Sequence, residues 1–131
     1  MFLDASAIIA IIAMEEDGAS LAGRLAAAHS CLTSAMAIFE AAAGLARIAN
    51  GAPADALALV DRFLTEIGAT VIVIDRQIGV AALEAFARFG KRRHAAALNM
   101  GDCFAYACAK QADMPLLCKG NDFPRTDIAL A

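Results

Sequence analysis

Helices packed on both faces of a mainly parallel sheet, an α/β fold, are what this sequence predicts, and three observations predict it. Short apolar runs recur at Phe2-Leu3, Cys31 to Thr33, Val71 to Ile74 and Pro115 to Cys118. The stretches between them carry apolar residues at helical spacing and are long enough to cross over a sheet, which parallel strands require. No linker, repeat or low-complexity segment interrupts the alternation, and 131 residues suit one core rather than two. The expectation is a single domain over residues 1–131, a three-layer α/β/α sandwich.

The elements follow in order. Phe2-Leu3 reads as a first strand, and the Ala- and Ile-rich run Ala5 to Met14 as the start of a helix, which places Asp4 at a strand-to-helix junction. Leu21, Ala22, Leu25 and Ala26 mark a helix over Gly18 to Ala28, followed by a strand at Cys31-Leu32-Thr33. Ser34 caps the next helix, whose Ile38, Ala41, Ala42 and Leu45 share one side and which stops near Asn50-Gly51. Pro53 suits the first turn of another helix, with Leu57, Leu59, Val60, Phe63 and Leu64 apolar before Gly68 ends it. Val71 to Ile74, apolar on both faces, reads as a central parallel strand. Asp75 caps a helix closed by Gly90, and after the basic run Lys91 to His94 another helix opens near Asp102. Pro115 to Cys118 returns as a strand, with Lys119-Gly120-Asn121-Asp122 as its turn.

Composition narrows the function classes. Hydrophobic residues make up 60% of the chain, yet charge or polar side chains interrupt every run long enough to span a bilayer, so no membrane span is expected. Met1-Phe2-Leu3-Asp4 lacks a basic leader and puts an acid where a signal peptide needs an apolar core, so the expectation is cytoplasmic. Cys31, Cys103, Cys108 and Cys118 show no Cys-x-x-Cys spacing and read as reduced packing residues, which disfavours zinc and disulfides. A net charge of −3 argues against a broadly basic surface for nucleic acid, though a local basic strip is compatible with it.

The candidate chemistry lies in four acids. In an open α/β sheet, ligands bind beyond the carboxyl ends of the strands. Asp4 follows the first strand and Asp122 the last, while Glu40 and Asp102 lie in helices that border the same crevice. Carboxylates gathered there repel one another, and a hard divalent cation, Mg2+ or alternatively Mn2+, compensates that repulsion. Each acid also has a plainer reading. Asp4 and Asp102 suit helix caps, Glu40 an exposed helix face, and Asp122 a turn. Ser6 shares the capping or holds Asp4 in place. Lys91, Arg92, Arg93 and His94 read either as a solvated loop or as phosphate contacts, and Lys119 and Arg125 flank the Asp122 turn. His29 and His94 lack metal-ligand spacing, and no Gly-x-Gly-x-x-Gly or Gly-Lys-Ser/Thr loop is present.

Four blocks carry a resemblance: Met1 to Ala7, Ser34 to Ala41 ending in Phe39-Glu40-Ala41, Leu98 to Ala107 with Gly101-Asp102-Cys103-Phe104-Ala105-Tyr106-Ala107, and Pro115 to Phe123 followed by Thr126-Asp127-Ile128. In this order and spacing they resemble PIN-domain proteins of the VapC toxin type over essentially the whole chain. The resemblance implies a magnesium-dependent endoribonuclease that hydrolyses RNA phosphodiesters with metal-activated water. It also implies the toxin half of a toxin–antitoxin pair, dimeric and inhibited by a VapB-like antitoxin. The family's first metal aspartate falls on Asp4, its helix glutamate on Glu40 and its third acid on Asp102. The fourth position falls on Asp122, with the adjacent Asn121 as the alternative that contacts the metal through water. Ser6 matches the small hydroxyl residue that orients the first aspartate. RNA contacts are expected from Arg92, Arg93 and Lys119. Apolar exteriors on the helices Gly18 to Ala28 and Pro53 to Ile67 are expected to serve the dimer or the antitoxin.

Two other classes compete. A catalytically silent PIN-like binding module would keep the fold and hold a partner. A phosphatase acting through an aspartyl-phosphate would need Asp4 as nucleophile with a second acid two residues on, where Ser6 stands instead.

Overall fold

Alternation within two short strands builds the layers. In β1 (Phe2–Leu3) and β4 (Leu116–Leu117) successive side chains point to opposite faces. Phe2 and Leu116 enter one apolar core, Leu3 and Leu117 the other. All four are fully buried, each contributing about 1.5–3 kcal/mol of apolar burial, so these two strands tie both helical layers to the sheet. The computed structural model describes residues Met1–Ala131.

The remaining elements, in chain order, are α1 (Ala5–Ile12), α2 (Gly18–Ala26), β2 (Leu32–Ser34), α3 (Ala35–Ala49), α4 (Pro53–Glu66), β3 (Thr70–Ile72), α5 (Arg76–Phe89) and α6 (Met100–Gln111), with a 3-10 turn at Phe123–Arg125 after β4. The sheet order is β3-β2-β1-β4, every pair parallel, with Phe2 opposite both Leu32 and Leu116. The α1–α4 side holds Ile8, Leu21, Leu45, Val60 and Leu64, and the α5–α6 side holds Ile78, Phe89, Leu98, Tyr106 and Phe123. This is the three-layer α/β/α arrangement with a parallel sheet.

Local signals act as read. Ser34 accepts a hydrogen bond from the Ala37 amide at 3.3 Å and Asp75 one from Ile78 at 2.9 Å, each capping its helix. Pro53 occupies the first turn of α4, and Asn50 ends α3 in the left-handed conformation at φ 49. The four cysteines are free thiols, three buried and Cys118 half-buried.

Two expectations are corrected. The strand read over Val71 to Ile74 as central is β3, Thr70–Ile72, at the edge of the sheet, with Val71 48% and Val73 80% exposed. Its apolar run signalled a strand but not its neighbours; β1 takes the centre because both β2 and β4 pair with it. The second concerns the apolar exterior. No large hydrophobic side chain of α2 is exposed, and α4 shows only Leu57 and Leu59, whereas Val71, Val73, Val80, Leu83 and Met100 are exposed on β3, its continuation, α5 and α6. No helix is long and apolar enough to cross a membrane.

Candidate active site

Parallel pairing brings the carboxyl ends of the strands to one edge, and that edge carries the acids. Asp4 follows β1 directly, and its amide donates to the Leu117 carbonyl of β4 at 3.0 Å, fixing the junction against the neighbouring strand. The Asp4 side chain caps α1: its Oδ2 accepts from the Ser6 amide at 2.9 Å and the Ser6 hydroxyl at 2.5 Å. Both bonds use one oxygen and leave Oδ1 the freer for another ligand, so capping and ligation are compatible. The Ser6 hydroxyl in turn accepts from the Lys119 amide at 3.0 Å, which ties the β1 acid to the turn after β4.

Glu40 reaches the same place from the second turn of α3. Its carboxylate lies where a side chain at residue 101 would be: a Cβ on Gly101 would stand 2.0 Å from Oε2 and 2.1 Å from Oε1. A glycine at the start of α6 is therefore what admits Glu40. Asp102 follows it as the third residue of α6 in a reciprocal capping box, accepting from the Asn99 amide at 2.8 Å while the Asn99 side chain accepts from the Asp102 amide at 3.0 Å. Asp4, Ser6, Glu40, Asn99 and Asp102 line one cleft of about 430 Å³, together with Ile9, Phe39 and Arg47.

Charge repulsion pervades this cleft. Burial, and then the charges of Asp4 and Asp102, push the Glu40 carboxyl up to about 7. Burial pushes Asp102 up to about 6, against the lowering effect of its Asn99 hydrogen bond and with added repulsion from Asp4 and Asp122. Asp4 is raised by burial, opposed by its Ser6 hydrogen bonds. Such a set favours either protons or a cation. Its donors are hard oxygens, which suit Mg2+ or Mn2+, but no three acidic, histidine or cysteine side chains stand close enough, as placed, to hold an ion among themselves. Mg2+ does not require such a cluster, because it retains several waters and takes one or two carboxylates together with phosphate oxygens.

The other predicted residues lie as follows. Asp122 is exposed in the turn after β4, outside the cleft lining, and its charge reaches Asp102. Asn121 beside it is exposed and makes no side-chain hydrogen bond. Lys119 spends its ammonium on Glu15 at 2.6 Å and Asp17 at 3.9 Å, a local tie between β4 and the α1–α2 turn. Arg92 is exposed in a left-handed backbone conformation, φ 66, and Arg93 stands 5.2 Å from the Phe86 ring centre. Neither lines the acid cleft. Sequence reading passed over Phe39, Arg47, Asn99 and Gly101. Their signals were present: Phe39, Ala43 and Arg47 at i, i+4, i+8, and Asn99-x-x-Asp102 as a capping box.

Two measurements probe this geometry. Ser6→Ala removes the hydroxyl that bridges Asp4 and Lys119 and leaves the Lys119 amide without that partner; urea unfolding is expected to show a loss of about 1–3 kcal/mol. No loss would mean that solvent replaces the bridge. The raised Glu40 carboxyl binds its proton more tightly when folded than when unfolded. Its stabilising contribution is therefore complete below the ordinary carboxylate range and is lost as pH rises through about 7. In EDTA, Glu40→Gln is expected to melt above the wild type at about pH 8, the gap closing towards about pH 4. A gap independent of pH would remove the repulsion from the account.

The chain is similar to known proteins over nearly its whole length. The PIN domain family profile matches residues 1–129. A VapC ribonuclease of Rhizobium meliloti is 45% identical, covering 97% of this chain and 98% of that protein. Ribonuclease VapC36 of Mycobacterium tuberculosis is 42% identical, covering 98% of this chain and 91% of that protein. Among solved structures, Mycobacterium tuberculosis VapC20, described as a sarcin-ricin loop cleaving toxin, matches with a TM-score of 0.78 over 99% of this chain and 97% of that one, at 16% identity. At that identity the match shows a shared fold.

Proposed function

This chain belongs to the PIN domain family, within its VapC ribonucleases, and we propose that it is a magnesium-dependent endoribonuclease, the toxin of a type II toxin–antitoxin pair. The observation that carries the reading is the meeting of Asp4, Glu40 and Asp102 in one cleft at the carboxyl edge of the sheet. A bound divalent cation supplies charge neutralisation at the scissile phosphate and activation of the attacking water. Asp4 and Asp102 would hold it through the oxygens that their capping bonds leave freer, with Mn2+ as a substitute. Glu40, which accepts no hydrogen bond from the chain, is placed to take a proton from water entering the cleft or to complete the acidic pocket. Asp122, with Asn121 beside it as the alternative, would act from the β4 turn, outside the cleft lining, through its charge on Asp102. Ser6 keeps Asp4 oriented. A VapB-like antitoxin, a homodimer and a cytoplasmic setting belong to the same proposal.

Digestion of total cellular RNA by the purified protein, free of antitoxin, tests it. Discrete fragments are expected with Mg2+ and none with EDTA. RNA left intact in both, by protein shown to be folded, would replace the enzyme with a silent binding module.

A further inference from the structure

Part of the acid cleft is not needed to hold a cation. Phe39, Ala43 and Arg47 recur every four residues along α3, so they line one strip of the helix, and all three border the cleft beside Asp4, Glu40 and Asp102. Between the ring and the guanidinium the strip is small: Ala43, with Gly44 alongside, packed so close to α1 that a Cβ there would lie 2.6 Å from Ile9 Cδ1. The strip runs about 12 Å along the helix from Phe39 to Arg47, long enough for a nucleotide or two. Phe39 is 70% exposed beside the acids. Arg47 is exposed, makes no ion pair or side-chain hydrogen bond, and is the one basic residue in the lining.

The geometry points to a substrate track: Phe39 stacks an unpaired base and Arg47 holds a backbone phosphate of single-stranded RNA next to the point of cleavage. This rests on the ribonuclease reading above. An open aromatic face and a free guanidinium separated by small residues match an extended strand, whose bases are available for stacking and whose backbone is anionic. Bases inside a duplex are stacked on one another and do not present a face to Phe39. An acidic peptide would satisfy Arg47 equally but would meet the repulsion of three carboxylates in the same cleft, which RNA meets with its phosphate on the bound cation.

The test uses an RNA oligonucleotide copied from a fragment junction mapped in the total-RNA digest. Cleavage with Mg2+ is followed for the wild type and for Phe39→Leu, Arg47→Ala and Arg47→Lys. Both exposed positions tolerate exchange, and melting temperatures check it. Phe39→Leu is expected to raise KM about tenfold with kcat nearly unchanged. Arg47→Ala is expected to raise KM and to flatten the slope of log(kcat/KM) against log salt by about 0.7, one phosphate contact on a single strand. Arg47→Lys restores the slope, because it keeps the charge. Wild-type kinetics in Phe39→Leu and Arg47→Ala would overturn the track while leaving the ribonuclease standing. So would unchanged kinetics accompanied by weaker antitoxin binding, which would make the strip a peptide contact. A wild type that produces no metal-dependent fragments overturns the ribonuclease reading and the track with it.

Discussion

Asp4→Asn is expected to lower metal-dependent RNA cleavage by at least about a hundredfold, the scale of losing one preorganised electrostatic contact in an active site, and to leave the metal-free protein as stable as before or more so. The two effects have opposite signs for a physical reason. Asp4 is 4% exposed, and burial raises its pKa despite two hydrogen bonds from Ser6, so desolvation of the charge outweighs what the bonds return. Asparagine has nearly the same shape and retains an oxygen for the Ser6 amide. A charge-assisted hydrogen bond contributes about 1.5–3 kcal/mol and a neutral one about 0.5–1.5, so the exchange gives up roughly 1 kcal/mol while removing the larger desolvation cost. Cleavage assays with Mg2+, paired with melting in EDTA, check both signs. Retained cleavage would remove Asp4 from the site, and a collapse of the fold in the variant would reduce it to a helix cap.

Gly101→Ala is expected to separate function from folding from the other side of the cleft. The added Cβ occupies the position of the Glu40 carboxylate, 2.0 Å from Oε2 and 2.3 Å from Cδ, so the carboxylate must leave. It is the far end of a flexible, half-exposed side chain, and moving it strains no backbone. Within a helix, Gly→Ala also gains about 0.5–1 kcal/mol of propensity. The melting temperature is therefore expected to hold or rise while cleavage falls by about tenfold or more, the loss expected when a carboxylate is misplaced in a site where small displacements are costly. Glu40→Gln assayed in parallel should show a loss of similar size. Full activity in Gly101→Ala would mean that Glu40 works from another position or does not work at all.

The sequence and the fold divide the credit unevenly. Helix periodicity, the Ser34 and Asp75 caps, Pro53 at the head of α4 and the alternation of helices with short strands were legible, because each is a local interaction among residues a few positions apart. The acids were legible one by one from the ends of the elements they follow, and the four-block resemblance pointed to the family that the relatives establish. Strand order was not. Val71 to Ile74 looked central because its apolar run is continuous, yet β3 pairs with β2 alone and exposes Val71 and Val73.

What the sequence by itself determined is the set of elements, the caps at Ser34 and Asp75 and the candidate acids, all of which depend on neighbours along the chain. Only the tertiary structure decided which of those acids share a cleft, that Glu40 fits because residue 101 lacks a side chain, that Lys119 is engaged by Glu15, and that Phe39 and Arg47 border the site. Those facts depend on distances between residues remote in sequence. Such distances are set by how two cores pack against the two faces of one sheet.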